Sequence, residues 1–156
     1  MNANVLPTKS VVTTWPKIFT ADGAPREVLE LAASVVPQLL VGDHPTLAAL
    51  RKQYERARIR RVELTGVGFF VDYEVPDDAP LAVPPDLAGG AAKIQVAGER
   101  VPAGCVLLVR KGRLATFEGS TLADGWPKRA RVPVVEEAFA LRPPMSQPGQ
   151  RCQTGR

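Results

Sequence analysis

The stretch that decides the fold is Arg60–Val75, RRVELTGVGFFVDYEV, because its apolar residues change parity in the middle. Val62 and Leu64 occupy even positions; Val67, Phe69, Val71, Tyr73 and Val75 occupy odd ones. Successive side chains of a strand point to opposite faces, so one regular strand cannot hold both sets against a core. A turn or a bulge is therefore expected at Thr65-Gly66, with strands on either side.

Strand signals recur downstream. Ala92, Ile94 and Val96 alternate with Lys93, Gln95 and Ala97. A hairpin is expected from Cys105–Arg110 through a Lys111-Gly112 turn into Arg113–Glu118, with Leu114 and Thr116 facing one way and Arg113, Ala115 and Phe117 the other. Val132–Val135 adds a last strand, at an edge because of Pro133. Pro76–Gly90, with its prolines and its Ala-Gly-Gly end, reads as a loop.

Helical spacing comes earlier in the chain. Val28, Leu31, Ala32, Val35 and Leu39 recur on one helical face after Pro25, and Pro37 is expected to end or kink that helix near Val35 or Val36. Asp43 is placed to cap a second helix with Pro45 in its first turn and Leu47, Leu50, Tyr54 and Ala57 as its stripe. Helices followed by strands give an α+β domain: two N-terminal helices packed on a mostly antiparallel sheet of four to six strands, from segments near 60, 67, 91, 104, 113 and 132. The expected organisation is an irregular N-terminal segment over 1–24, where Val11-Val12 is a candidate edge strand, a single domain over 25–140, and a flexible tail over 141–156.

At 156 residues, with 45% apolar and 23% charged side chains, the chain has ordinary globular usage and length enough for its own core. No apolar run reaches bilayer length and the first residues lack the pattern of a signal peptide, so the expectation is a cytoplasmic protein with no membrane contact. Cys105 lies in the apolar run CVLLV and reads as a packing residue; Cys152 lies in polar sequence, and a bridge between the two is not expected. One histidine and two cysteines make no zinc spacing, and no Walker A sequence is present. Gly66-x-Gly68 runs into a strand rather than a helix N-terminus, so it holds no dinucleotide, and no cofactor is expected. Thr65–Asp72 approaches the RNA-binding strand of RNA-recognition motifs but has Val67 and Asp72 where aromatics stack on bases.

Two patterns remain as candidate sites. The first is a basic window, Arg51, Lys52, Arg56, Arg58, Arg60 and Arg61 against Glu55 alone; it carries +5 of a net charge of +4, leaving the rest of the chain at −1. Such a window can meet a protein, an anionic metabolite or, as a lesser reading, nucleic acid. The second is a carboxylate set: Asp72 and Glu74 share a strand face, and Glu118 joins them if the hairpin lies alongside, an arrangement suited to acid–base work or to a divalent ion. His44 reads as a solvent-exposed ring beside a helix cap. The leading expectation is a non-catalytic protein-binding module of the accessory or immunity type, contacting its partner through Arg51, Lys52, Arg56, Arg58 and Arg60. The alternative is a hydrolase acting on a small molecule, or a metal-dependent one, through Asp72, Glu74 and Glu118.

Gly42–Pro45 (GDHP), Leu47–Gln53 (LAALRKQ), Thr65–Phe70 (TGVGFF), the hairpin CVLLVRKGRL with Glu118-Gly119, and Trp126-Pro127 together resemble a family of small, uncharacterised bacterial proteins. The resemblance spans about residues 28 to 135. It implies one intact domain and carries no activity or residue roles with it.

Overall fold

The computed structural model describes residues 14–96, 99–121, 125 and 131–137. The fold is α+β, with two α-helices and a seven-stranded antiparallel sheet among these residues. In chain order the elements are β1 (Lys17–Phe19), a single 3-10 turn (Ala21–Gly23), α1 (Arg26–Leu39), α2 (Pro45–Arg56), β2 (Arg58–Leu64), β3 (Gly68–Glu74), β4 (Leu87–Val96), β5 (Glu99–Arg110), β6 (Arg113–Thr121) and β7 (Arg131–Glu137). The spatial order is β1-β2-β3-β6-β5-β4-β7. One strand more than expected is present, because Lys17–Phe19 pairs with Val62–Leu64 from within the stretch read as irregular. Val11-Val12 and the tail over 141–156 lie outside the described residues.

The parity change at Thr65-Gly66 is a hairpin turn. The Thr65 amide donates to the Gly68 carbonyl at 2.9 Å, and Gly66 has φ +84°, the left-handed region that favours glycine. Val67 belongs to this turn and is exposed rather than in the core. Gly68 is required for a different reason: a methyl built on it would land on the Gly119 carbonyl oxygen of β6.

Two further phase changes escaped the sequence pattern. Ile59 opposes Tyr73 and Arg61 opposes Asp72, which leaves Arg60 as an extra residue and lets Ile59 and Val62 both face inward. On β6 the register slips between Thr116 and Leu114, opposite Leu108 and Val109. Leu114 and Phe117 are consequently both buried, on the same side, and the simple alternation expected for the return strand does not hold.

The helices share one apolar cluster with the sheet. Val28, Leu31, Ala32, Val35, Val36 and Leu39 of α1 and Leu47 and Leu50 of α2 are buried with Val62, Phe69, Val71, Leu107, Val109 and Phe117. The rings of Phe69 and Phe117, on neighbouring strands, sit 5.7 Å apart and tilted by 48°. Pro37 does not end α1, which continues to Leu39. It stands within the last turn, and the Gln38 side chain donates to the Ser34 carbonyl at 2.8 Å in the turn that the proline disturbs. The cap of α2 is His44, whose Nδ1 accepts from the Thr46 amide at 3.2 Å, and not Asp43.

The segment from Val75 to Asp86 is irregular, as its prolines demand, but it is strapped down; Leu87 to Gly90, read as its end, are the start of β4. Gln53 of α2 is fully buried. Its Nε2 donates to the carbonyls of Pro80 at 2.6 Å and Gly112 at 2.7 Å, while its Oε1 accepts from the Leu114 amide at 2.8 Å. Thr46 Oγ1 donates to the Val83 carbonyl, the Ala82 amide to Gly112 and the Gly112 amide to Pro85. Arg113 donates to the carbonyls of Pro76 and Asp77. Helix, loop and hairpin tip are thereby one polar assembly with its groups satisfied.

Candidate interaction face

With one side of the sheet committed to the helices, the opposite side follows from register. Phe69 and Val71 face the core, so Phe70, Asp72 and Glu74 face away from it; Cys105, Leu107 and Val109 face the core, so Val106 and Leu108 face away. Direct pairing then orders two rows across the strands. One runs Ile18, Glu63, Phe70, Glu118, Val106. The other runs Arg61, Asp72, Thr116, Leu108, Ala88. Phe70, Val106 and Leu108 are half-buried, and Ile18 is 59% exposed.

The second row centres on Asp72, whose side chain is only 13% exposed. Arg61 Nε donates to its Oδ2 at 3.1 Å and Thr116 Oγ1 donates to its Oδ1 at 2.8 Å. The bulge sends Arg60 to the same carboxylate, at 3.9 Å, and Arg61 also reaches Glu63 at 3.3 Å. Both oxygens of Asp72 are thus engaged by donors. Glu118 lies on the same face as expected, but across from Phe70 rather than beside Asp72, and Glu74 stands opposite Arg58 in register at the far end of β3. The three carboxylates share a face without converging, and among the described residues no three His, Cys, Asp or Glu gather to hold a metal ion.

The basic window is dispersed by the fold. Arg51 donates to the carbonyls of Leu40 at 2.5 Å and Gly42 at 2.8 Å, closing the end of α1. Arg56 pairs with Asp78 at 2.8 Å, and this pairing holds the Asp78 carboxyl below its usual range, first through the hydrogen bond and then through the guanidinium charge. Arg60 and Arg61 serve Asp72. Lys52 and Arg58 are exposed, and neither has an ion-pair partner among the described residues. An open groove of about 550 Å³ lies between Arg56, Arg58, Glu74, Val75, Pro76 and Asp77, with charges of both signs on its walls.

Two buried groups face the helices. Burial pushes the Cys105 thiol up to about 12 and raises the Tyr73 phenol, with the neighbouring Tyr54 adding to the rise. The two tyrosine rings meet edge to face at 6.1 Å, and the Tyr73 hydroxyl has no hydrogen-bond partner among the described residues. The thiol is consequently a packing group, protonated at neutral pH.

The face opposite the helices was half legible in sequence: the Asp72, Glu74, Glu118 grouping follows from parity, but the apolar Phe70, Val106 and Leu108 do not stand out beside longer apolar runs. A signal was present in FF at 69–70 and VLLV at 106–109, where apolar residues fall on both parities and so on both faces. No helix among the described residues is long and apolar enough to cross a membrane. Comparison with protein-family models, with curated proteins and with solved structures gives no match.

Proposed function

We propose that this protein is a non-catalytic protein-binding module, an accessory protein that covers a partner's surface, and that it binds through the sheet face opposite the helices. The observation that carries this reading is Phe70, Val106 and Leu108, half-buried on that face, in register with exposed Ile18 and interleaved with Glu63 and Glu118, with Arg60 and Arg61 in the neighbouring row. A surface that mixes aromatic and aliphatic side chains with arginine and carboxylate groups has the mixed composition of a non-obligate protein interface. The basic helix surface is the weaker candidate, because Arg51 and Arg56 are held by groups of the chain itself. A hydrolase built on the carboxylates is less well supported, since Asp72 is neutralised by its arginines.

The test is photo-crosslinking in host cells from a benzophenone side chain at Ser120, exposed on this face next to Glu118, against the same group at Lys52 on α2. The expected result is an adduct of one mass from position 120, absent from position 52 and lost on Val106→Asp in a variant with native circular dichroism. Equal adducts from both positions, or none from position 120, would overturn the reading.

A further inference from the structure

The row Ile18, Glu63, Phe70, Glu118, Val106 alternates apolar, acidic, aromatic, acidic, apolar across five strands. We infer that it seats a basic side chain, the guanidinium of an arginine or the ammonium of a lysine presented by a protein partner, over the Phe70 ring between Glu63 and Glu118. The inference rests on the reading of this face as a docking surface and specifies the chemistry of what docks.

Directly opposed residues of an antiparallel pair have Cβ atoms about 5 Å apart, so Phe70 has a carboxylate-bearing neighbour on each side. The face of an aromatic ring attracts a cation within about 6 Å of its centre. Ring and carboxylates therefore favour the same charge at the same place. Glu63 is partly compensated, by Arg61 at 3.3 Å. Glu118 is half-buried, with no hydrogen bond or ion pair among the described residues. The arginines of this face do not supply its counterion: Arg61 is held in the adjacent row by Asp72, which Arg60 also approaches. A positive patch on the partner is thus complementary to this row even though the chain as a whole carries +4.

The direct test is a titration with n-butylguanidinium chloride at millimolar concentration, followed by amide ¹H–¹⁵N shifts, with sodium chloride at equal ionic strength as the control. The inference predicts shifts confined to residues around 63, 70, 106 and 118. Glu118→Gln and Phe70→Leu, each with native circular dichroism, should weaken binding by about 2- to 5-fold, the size of an exposed cation–π contact. Shifts that match the sodium chloride control, or that survive Glu118→Gln unchanged, would overturn it. Sequencing the adduct formed from position 120 separates the two proposals. A cross-linked partner segment lacking arginine and lysine would sink the cation seat while the docking face stands, and absence of any adduct removes both.

Discussion

The Gln53 carboxamide and the Leu114 amide, 61 residues apart in the chain, meet at 2.8 Å in the interior. That bond, with the two that Gln53 donates to Pro80 and Gly112, ties the second helix to the tip of the β5–β6 hairpin and to the proline-rich loop between them. Gln53→Leu would remove three hydrogen bonds at once and leave the buried Leu114 amide without its acceptor, while the Gly112 carbonyl keeps the Ala82 amide. At roughly 1 kcal/mol for each hydrogen bond, plus the desolvation of the groups left unpaired, the expected loss is about 3 kcal/mol by urea denaturation. Hydrogen exchange should accelerate first at Ala79 and Ala82, and a loss well under about 1 kcal/mol would show that water replaces the carboxamide.

Glycine substitutions should separate sharply. Gly68→Ala places a methyl on the Gly119 carbonyl of the adjacent strand, where neither backbone can yield without breaking the β3–β6 ladder. We expect a loss of at least about 3 kcal/mol, a large share of a domain's total stability. Gly23→Ala meets only the Thr20 hydroxyl at 3.8 Å and should leave the melting temperature within error. Similar melting for the two variants would contradict the close approach.

Neutralising Asp72 frees two arginines. Asp72→Asn keeps the Thr116 contact and loses the charge that Arg60 and Arg61 share. Because both arginines are substantially exposed, the stability cost should be only about 1 kcal/mol. The larger effect should be on heparin chromatography, where the variant elutes at higher salt than the parent because its basic residues are no longer answered. Unchanged elution would mean that the pairing does not hold in solution.

Alkaline pH should unfold the protein early. The Cys105 thiol, pushed up to about 12 by burial, stays protonated in the folded state after it ionises in the unfolded one. Above the unfolded thiol pKa the unfolded chain therefore binds fewer protons, and stability falls as pH rises, by about 1.4 kcal/mol per pH unit for this group. The contribution is complete below roughly pH 8.5 and is lost between there and the folded value. Tyr73 adds a second loss above pH 10 in the same direction. Cys105→Ala should flatten the first part of the decline in melting temperature; an identical profile would remove the thiol from the account.

The sequence carried the order of the elements because strand and helix periods are local, and Val62 with Phe69 and Val28 with Leu31 declare theirs within a few residues. It was silent where geometry depends on a neighbour. The bulges at Arg60 and before Thr116 are visible only in the register of the adjoining strands. Gln53 could have been noticed, since it occupies a polar position within the stripe of Leu47, Leu50 and Tyr54, and a polar side chain inside an apolar stripe calls for partners. Which carbonyls it would reach depends on a loop whose path the prolines do not dictate. The dispersal of the basic window was hidden for a related reason: charge runs are counted along the chain, whereas the acids that answer Arg56, Arg60 and Arg61 come from residues 72 and 78.

The extra residue at Arg60 also shapes one edge of the sheet. The outer side of β2 is paired by β1 over Val62–Leu64, and among the described residues the stretch Arg58–Arg61 has no strand partner there. An incoming strand would find a bent backbone, out of step with any regular ladder, and guanidinium groups to be stripped of water. At this stretch of the edge, extending the sheet is therefore disfavoured, and molecules that meet there meet through side chains.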